Sequence, residues 1–140
     1  MSTNKRIVSI VEDDPSNALF FNEALKGFAG IALFTFTDPF LALEHFREFD
    51  YAYVLVISDF KMDGLDGFEF LRSIKDTNPF VRTMLITAAF RLDNKTFQKY
   101  IKKKIINGFI QKPICLHDFL KEVNTQLQLY ETQKRYPQVL

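Results

Sequence analysis

The chain has 140 residues, 47% of them apolar and 25% charged, with a net charge of +1 and a single cysteine, the dimensions of one globular domain with its own core. So balanced a charge gives no electrostatic case for nucleic acid or anionic lipid as the main partner. The lone Cys115 excludes an internal disulfide and a cysteine-based zinc cluster, and no apolar run approaches membrane-spanning length.

Short apolar runs alternate with longer amphipathic segments, the pattern of βα units around a parallel sheet covered on both faces. The first predicted strand is "RIVSIVE" (6–12). A helix follows from Pro15, with Asp14 as N-cap and proline in the first helical position. Ala18, Phe21, Leu25 and Phe28 then recur at helical spacing. "IALFTF" (31–36) is the second strand, and Asp38-Pro39 starts the second helix in the same way. "YVLVISD" (53–59) is the third, and the helix after Asp66-Gly67 turns Phe70, Leu71 and Ile74 inward. "VRTMLIT" (81–87) precedes a helix over 93–104 with Phe97, Ile101 and Ile105 four apart. "GFIQK" (108–112) is the last strand, followed by a helix over 117–131 that buries Phe119, Leu120, Val123 and Leu127. The last nine residues, "TQKRYPQVL", are expected to fray. Residues 1–130 thus read as one domain and 131–140 as a tail or the start of a linker, with no room in this sequence for an output domain. The 16 phenylalanines serve mainly as core filler.

Chemistry gathers at the carboxyl ends of the strands, where a doubly wound sheet binds its ligands. Three consecutive carboxylates, Glu12, Asp13 and Asp14, follow the first strand. Like charges so close repel unless a cation or donors attend them, and a helix cap accounts only for Asp14. The third strand ends in Asp59, the fourth in Thr87 and the fifth in Lys112. If the strands take the common order 2-1-3-4-5, Glu12, Asp13 and Asp59 meet at the switch point. Three carboxylates in one crevice suit magnesium, or manganese in its place, a hard cation that takes oxygen ligands and leaves room for a phosphate oxygen. Lys112 adds a point charge and Thr87 a hydroxyl, completing a set for phosphoryl transfer. An aspartate can be the nucleophile, and Asp59 is the candidate, since Glu12 and Asp13 are explained as metal holders.

With these residues in place, the sequence resembles a receiver domain of a two-component response regulator over roughly residues 5–130. The resemblance implies a (βα)5 flavodoxin-like α/β fold with strand order 2-1-3-4-5. It implies that Glu12 and Asp13 are the acidic pair, with Asp13 a direct magnesium ligand, and that Asp59 is the phosphoacceptor. Lys61 would give its backbone carbonyl to the metal, Thr87 would be the switch hydroxyl, Lys112 the phosphate-binding lysine and Phe109 the aromatic switch position. The partners implied are a histidine kinase or histidine phosphotransfer protein and a downstream protein on the face of the fourth helix, fifth strand and fifth helix. The chain would then be no enzyme towards other molecules, catalysing only its own phosphorylation and dephosphorylation. After Met62 the family often has proline and this chain has Asp63, an extra carboxylate in a less rigid loop. Ala89 and Lys61 stand where the family tunes its reaction rates.

Outside the strand ends, Lys95, Lys99, Lys102, Lys103 and Lys104 make the fourth helix and its exit basic, either a solvated face or a dock for an acidic partner. Leu19 and Phe20 are either sheet-facing or part of a kinase-docking patch. Cys115 reads as a small buried hydrophobe, and His45 and His117 as surface helix residues. No reader helix for direct DNA binding is evident, and "MSTNKR" has no apolar signal core, so the expected location is cytoplasmic, without membrane insertion. Monomer and homodimer are both compatible with the sequence, as is a piece of a longer regulator. Competing readings are a magnesium-dependent phosphatase of the aspartyl-phosphate type, opposed by Lys61 where such enzymes carry a second aspartate, and a receiver-like scaffold that works without phosphorylation. A mononucleotide binder is opposed by "EDDPSN", which would repel a phosphate.

Overall fold

Strand and helix alternate through the described residues, as the periodicity predicts. The computed structural model describes residues 6–88 and 93–135, with backbone alone for the last two. In order come β1 (Arg6–Val11), α1 (Pro15–Leu25), β2 (Ile31–Phe36), α2 (Pro39–Phe49), β3 (Tyr53–Asp59) and α3 (Gly67–Thr77). They are followed by β4 (Arg82–Ala88), α4 (Lys95–Lys102), β5 (Gly108–Lys112) and α5 (Leu116–Arg135). All five strands pair in parallel, in the order β2-β1-β3-β4-β5, the doubly wound order expected.

Alternation along the strands builds two cores, one on each face of the sheet. Ile7 and Val11 of β1 and Val56 of β3 face α2, α3 and α4, meeting Phe46, Phe70, Leu71, Ile74 and Phe97. Val8, Ile10, Leu55 and Ile57 face α1 and α5, meeting Phe21, Leu25, Phe119 and Val123. Each of these buried aromatic or branched side chains contributes about 1.5–3 kcal/mol by leaving water. The helix starts follow the predicted chemistry. Asp14 accepts from the Ser16 and Asn17 N–H groups, Asp38 from Phe40 N–H, and Asp66 pairs reciprocally with Glu69 in a capping box.

Several expectations are corrected. α5 runs to Arg135, through residues expected to fray, because Gln133 on its last turns reaches back to the Phe80 carbonyl and to Arg82. α4 is shorter than predicted, and Tyr100 joins Phe97 in its buried stripe while Ile101 and Ile105 are only partly buried. His45 lies on α2 as expected but is half-buried rather than fully exposed: it packs among Phe34, Phe36 and Phe49, its Nδ1 within 2.6 Å of the Tyr53 hydroxyl, and burial lowers its pKa. Cys115, expected to be buried, is exposed. His117 is exposed as expected. Ala89 and the end of the tail, 136–140, lie outside the described residues.

Candidate functional site

The carboxyl edge of the sheet is where β1 and β3 deliver their last side chains side by side. Val11 pairs with Ser58, so Glu12 and Asp59 follow next to one another. The Glu12 N–H is held by the Phe36 carbonyl of β2, which fixes the strand end on its other side. Glu12 is 1% exposed and Asp59 4% exposed, whereas Asp13 is half-buried. Carboxylate oxygens of all three lie within 4.8 Å of one another. Asp14 turns away to cap α1, as expected of one member of the acidic run.

Donors surround this cluster unevenly. Lys112, at the end of β5, places Nζ 3.2 Å from Asp59 Oδ1 and 3.3 Å from Oδ2. The Phe60 N–H donates to Asp59 Oδ1 at 3.0 Å. Glu12 receives one bond, from the Asp14 N–H to Oε2 at 3.1 Å, and its Oε1 is buried with no hydrogen-bond partner. Burial pushes the Glu12 carboxyl up to about 7, with the Asp59 charge adding to the rise and the Asp14 N–H and Lys112 opposing it. A buried carboxylate oxygen without a donor, facing two further carboxylates, fits a hard divalent cation. Glu12, Asp13 and Asp59 are the residues that would hold it.

The remaining predicted residues are placed with more variety. Thr87 is buried on β4, the strand beside Asp59, but its hydroxyl donates to the Ala88 carbonyl at 3.3 Å. Phe109 points outward from β5, 38% exposed, its ring edge-on to Phe97 of α4 at 5.2 Å. Lys61 and Asp63 are both exposed in the loop leaving β3. The peptide between Lys112 and Pro113 is cis. Leu19 and Phe20 are exposed on α1 rather than facing the sheet. Phe20 lines a cavity of about 340 Å³ together with Glu12, Asn17, Lys112 and Ile114.

Two features escaped sequence reasoning. Gly67, the first residue of α3, donates its N–H to the Phe60 carbonyl at 2.7 Å. A Cβ there would stand 2.7 Å from the Asp59 carbonyl oxygen and 2.8 Å from Phe60 Cα, so only glycine lets α3 start this close to the phosphoacceptor candidate. The Asp66-Gly67 pair signalled a helix start but not this approach. A row of rings also runs from Phe60 through Phe68 and Phe97 to Phe109, with centroids 4.7, 6.5 and 5.2 Å apart. It joins the neighbour of Asp59 to the outward face of β5 and α4.

The family model of the response regulator receiver domain matches residues 8–124. The chain belongs to that family. The "DNA-binding transcriptional regulator NtrC" of Escherichia coli strain K12 is 33% identical to this receiver domain over 129 residues, 92% of this chain and 26% of that one. "Transcriptional regulatory protein ZraR" of Klebsiella oxytoca is 33% identical over 95 residues, 66% of this chain and 20% of that one. The chain therefore spans about a quarter or less of the length of these curated relatives. Among solved structures, a response regulator receiver domain protein from Clostridium thermocellum superposes with a TM-score of 0.80 at 22% identity, over 91% of this chain and 98% of that one. The receiver domain of NtrX from Brucella abortus gives 0.73 at 24% identity, over 86% and 98%. Both share the fold.

Proposed function

We propose that this receiver domain accepts a phosphoryl group on Asp59 from a phosphohistidine of a histidine kinase or phosphotransfer protein, and thereby changes a protein-binding face. One observation carries the reading: Lys112 Nζ bridges both oxygens of Asp59, while Glu12 and Asp13 bring two further carboxylates to the same point. An Asp59 oxygen attacks phosphorus, the phosphorus–nitrogen bond breaks, and its electron pair stays on the departing imidazole. The product is an acyl phosphate. Lys112 stands where charge on the transferred oxygens needs a partner. A divalent cation held by Glu12, Asp13 and Asp59, with the Lys61 carbonyl, would neutralise the remaining negative charge.

The response follows from what the phosphoryl group would offer. The Thr87 hydroxyl gives up a long bond to the Ala88 carbonyl for a charged phosphoryl oxygen, a stronger acceptor. That vacates space on the β5 side, into which Phe109 turns from its exposed position. The ring contacts from Phe60 to Phe109 support such coupling, through which one local charge event would shift the balance between two arrangements of that face. Exposed Leu19 and Phe20 on α1, the latter beside the site, suit the donor protein. The face of α4, β5 and α5, basic through Lys95, Lys99 and Lys102, suits the downstream one. The domain turns over no separate substrate; the cycle closes when water hydrolyses its own acyl phosphate.

The test is intact-protein mass after incubation with a small acyl phosphate and magnesium, with and without chelator, for wild type and Asp59→Asn. A gain of one phosphoryl group, absent in the variant and in chelator, is expected. Equal labelling of Asp59→Asn would refute the assignment, and no labelling of wild type would favour the phosphorylation-independent scaffold.

A further inference from the structure

The opposite end of the sheet, where β4 and β5 begin, carries a feature that phosphoryl acceptance does not use. A cavity of about 440 Å³ opens there, lined among the described residues by four cationic side chains, Lys75, Arg82, Lys103 and Lys104, and by no acidic one. We propose that this cavity binds a small phosphorylated organic molecule with an apolar or aromatic body, of about nucleotide size.

The charge is a local excess, since the whole chain carries only +1. It is also held in place by neutral acceptors. Arg82 donates from Nε to Gln126 Oε1 at 2.8 Å and from Nη1 to Gln133 Oε1 at 3.1 Å. Lys75 donates to the Val81 carbonyl at 2.8 Å, to Asn107 Oδ1 at 2.7 Å and to the Pro79 carbonyl at 3.3 Å. Such partners orient the two cations without neutralising them, which leaves their charge for an anion in the cavity. The carboxylate that faces Arg82 is Glu122 of α5, outside the lining, and its Oε2 accepts from Gln126 Nε2 at 2.7 Å. The pKa of Lys75 is lowered to about 7, by burial first and by the Arg82 charge next, as expected of a cationic cavity with no anion.

Lys103 and Lys104 stand exposed at the rim, just past α4. Lys104 adopts φ +62°, a left-handed conformation that costs a lysine free energy and a glycine almost none. The same cavity has apolar walls, including the exposed side chains of Phe80 and Leu129. A ring beside a cluster of cations suits a ligand with a flat body and a polyphosphate end.

The experiment is an amide NMR and calorimetric titration of the full chain with ADP, pyrophosphate and adenosine, in chelator so that the Asp59 end takes no metal-bound nucleotide. The comparison is the double variant Lys103→Gln/Lys104→Gly, whose second change removes a charge while relieving the backbone, so the fold is not weakened. We expect ADP to bind with Kd below about 1 mM, with shifts at Phe80, Arg82, Asn107 and Gln133. The variant should bind about ten-fold or more weakly, and ADP should bind more tightly than pyrophosphate or adenosine. No saturation by about 5 mM ADP, shifts centred on Asp59, undiminished binding in the variant, or pyrophosphate binding as tightly as ADP would each overturn the proposal.

Discussion

Replacing Glu12 with glutamine should make the metal-free protein more stable, and increasingly so as pH rises. The Glu12 side chain is buried against Asp59, and one of its oxygens lacks any donor. Its carboxyl therefore ionises near 7 in the fold, against an ordinary value of 4.5. Between those values the native state holds a proton that the unfolded chain has released, so stability falls as pH rises from about 4.5 to about 7 and is level above. At about 1.4 kcal/mol per pH unit, the ceiling is roughly 3 kcal/mol. The substituted amide carries no charge, can still accept the Asp14 N–H, and can donate to Asp59. The assay is urea denaturation of both proteins in chelator at pH 5 and pH 8. We expect the advantage of Glu12→Gln to be about 2 kcal/mol larger at pH 8. Magnesium should stabilise the wild type more than the variant, because the variant has lost a ligand. An advantage equal at the two pH values, or reversed at pH 8, would show that Glu12 is not strained in the metal-free site.

Gly67→Ala should cost about 1–3 kcal/mol and slow phosphoryl acceptance, since the added Cβ would press on the Asp59 carbonyl and Phe60; thermal denaturation and labelling rate check both effects, and an unchanged labelling rate would separate α3 from the site. Lys112→Ala should slow acyl phosphate formation about 10²-fold while leaving the fold intact, because it removes the cation on both Asp59 oxygens; time-resolved intact mass reads this. Lys75→Met should flatten the pH dependence of stability between pH 7 and 10. In the wild type the unfolded chain keeps the Lys75 proton up to about 10.5 and the fold releases it near 7, so wild-type stability rises across that window by up to about 1.4 kcal/mol per pH unit. Parallel curves for the two proteins would refute the burial of that charge.

The candidate site was legible to the extent that it is built from strand ends. Hydrophobic runs ending in Glu12, Asp59, Thr87 and Lys112 announce both the strands and the chemistry, because a buried parallel strand tolerates polar residues chiefly where it stops. The same reasoning failed for Cys115, which is exposed, and missed the half-burial of His45. A histidine at helical spacing has the same sequence signature whether its neighbours across space are water or Phe34, Phe36 and Tyr53. The length of α5 was missed for a related reason: its last turns are polar in sequence and gain their anchor from Arg82 and the Phe80 carbonyl, some fifty residues away.

What the sequence determined by itself was local: the period of each element, the aspartate caps, and the identity of the groups at the strand ends. Those depend on dihedral preferences and on hydrogen bonds within a few residues of one another. Only the tertiary structure decided how the groups stand to each other. It brought the Glu12, Asp13 and Asp59 oxygens within 4.8 Å, left one Glu12 oxygen without a donor, and set Lys112 on both Asp59 oxygens across 53 residues. It left Thr87 bonded to its own strand, required Gly67 against Asp59, and gathered Lys75, Arg82, Lys103 and Lys104 around one cavity. Distance, burial and the count of donors on each oxygen are properties of packing between segments far apart in the chain, and these set charge, pKa and reactivity.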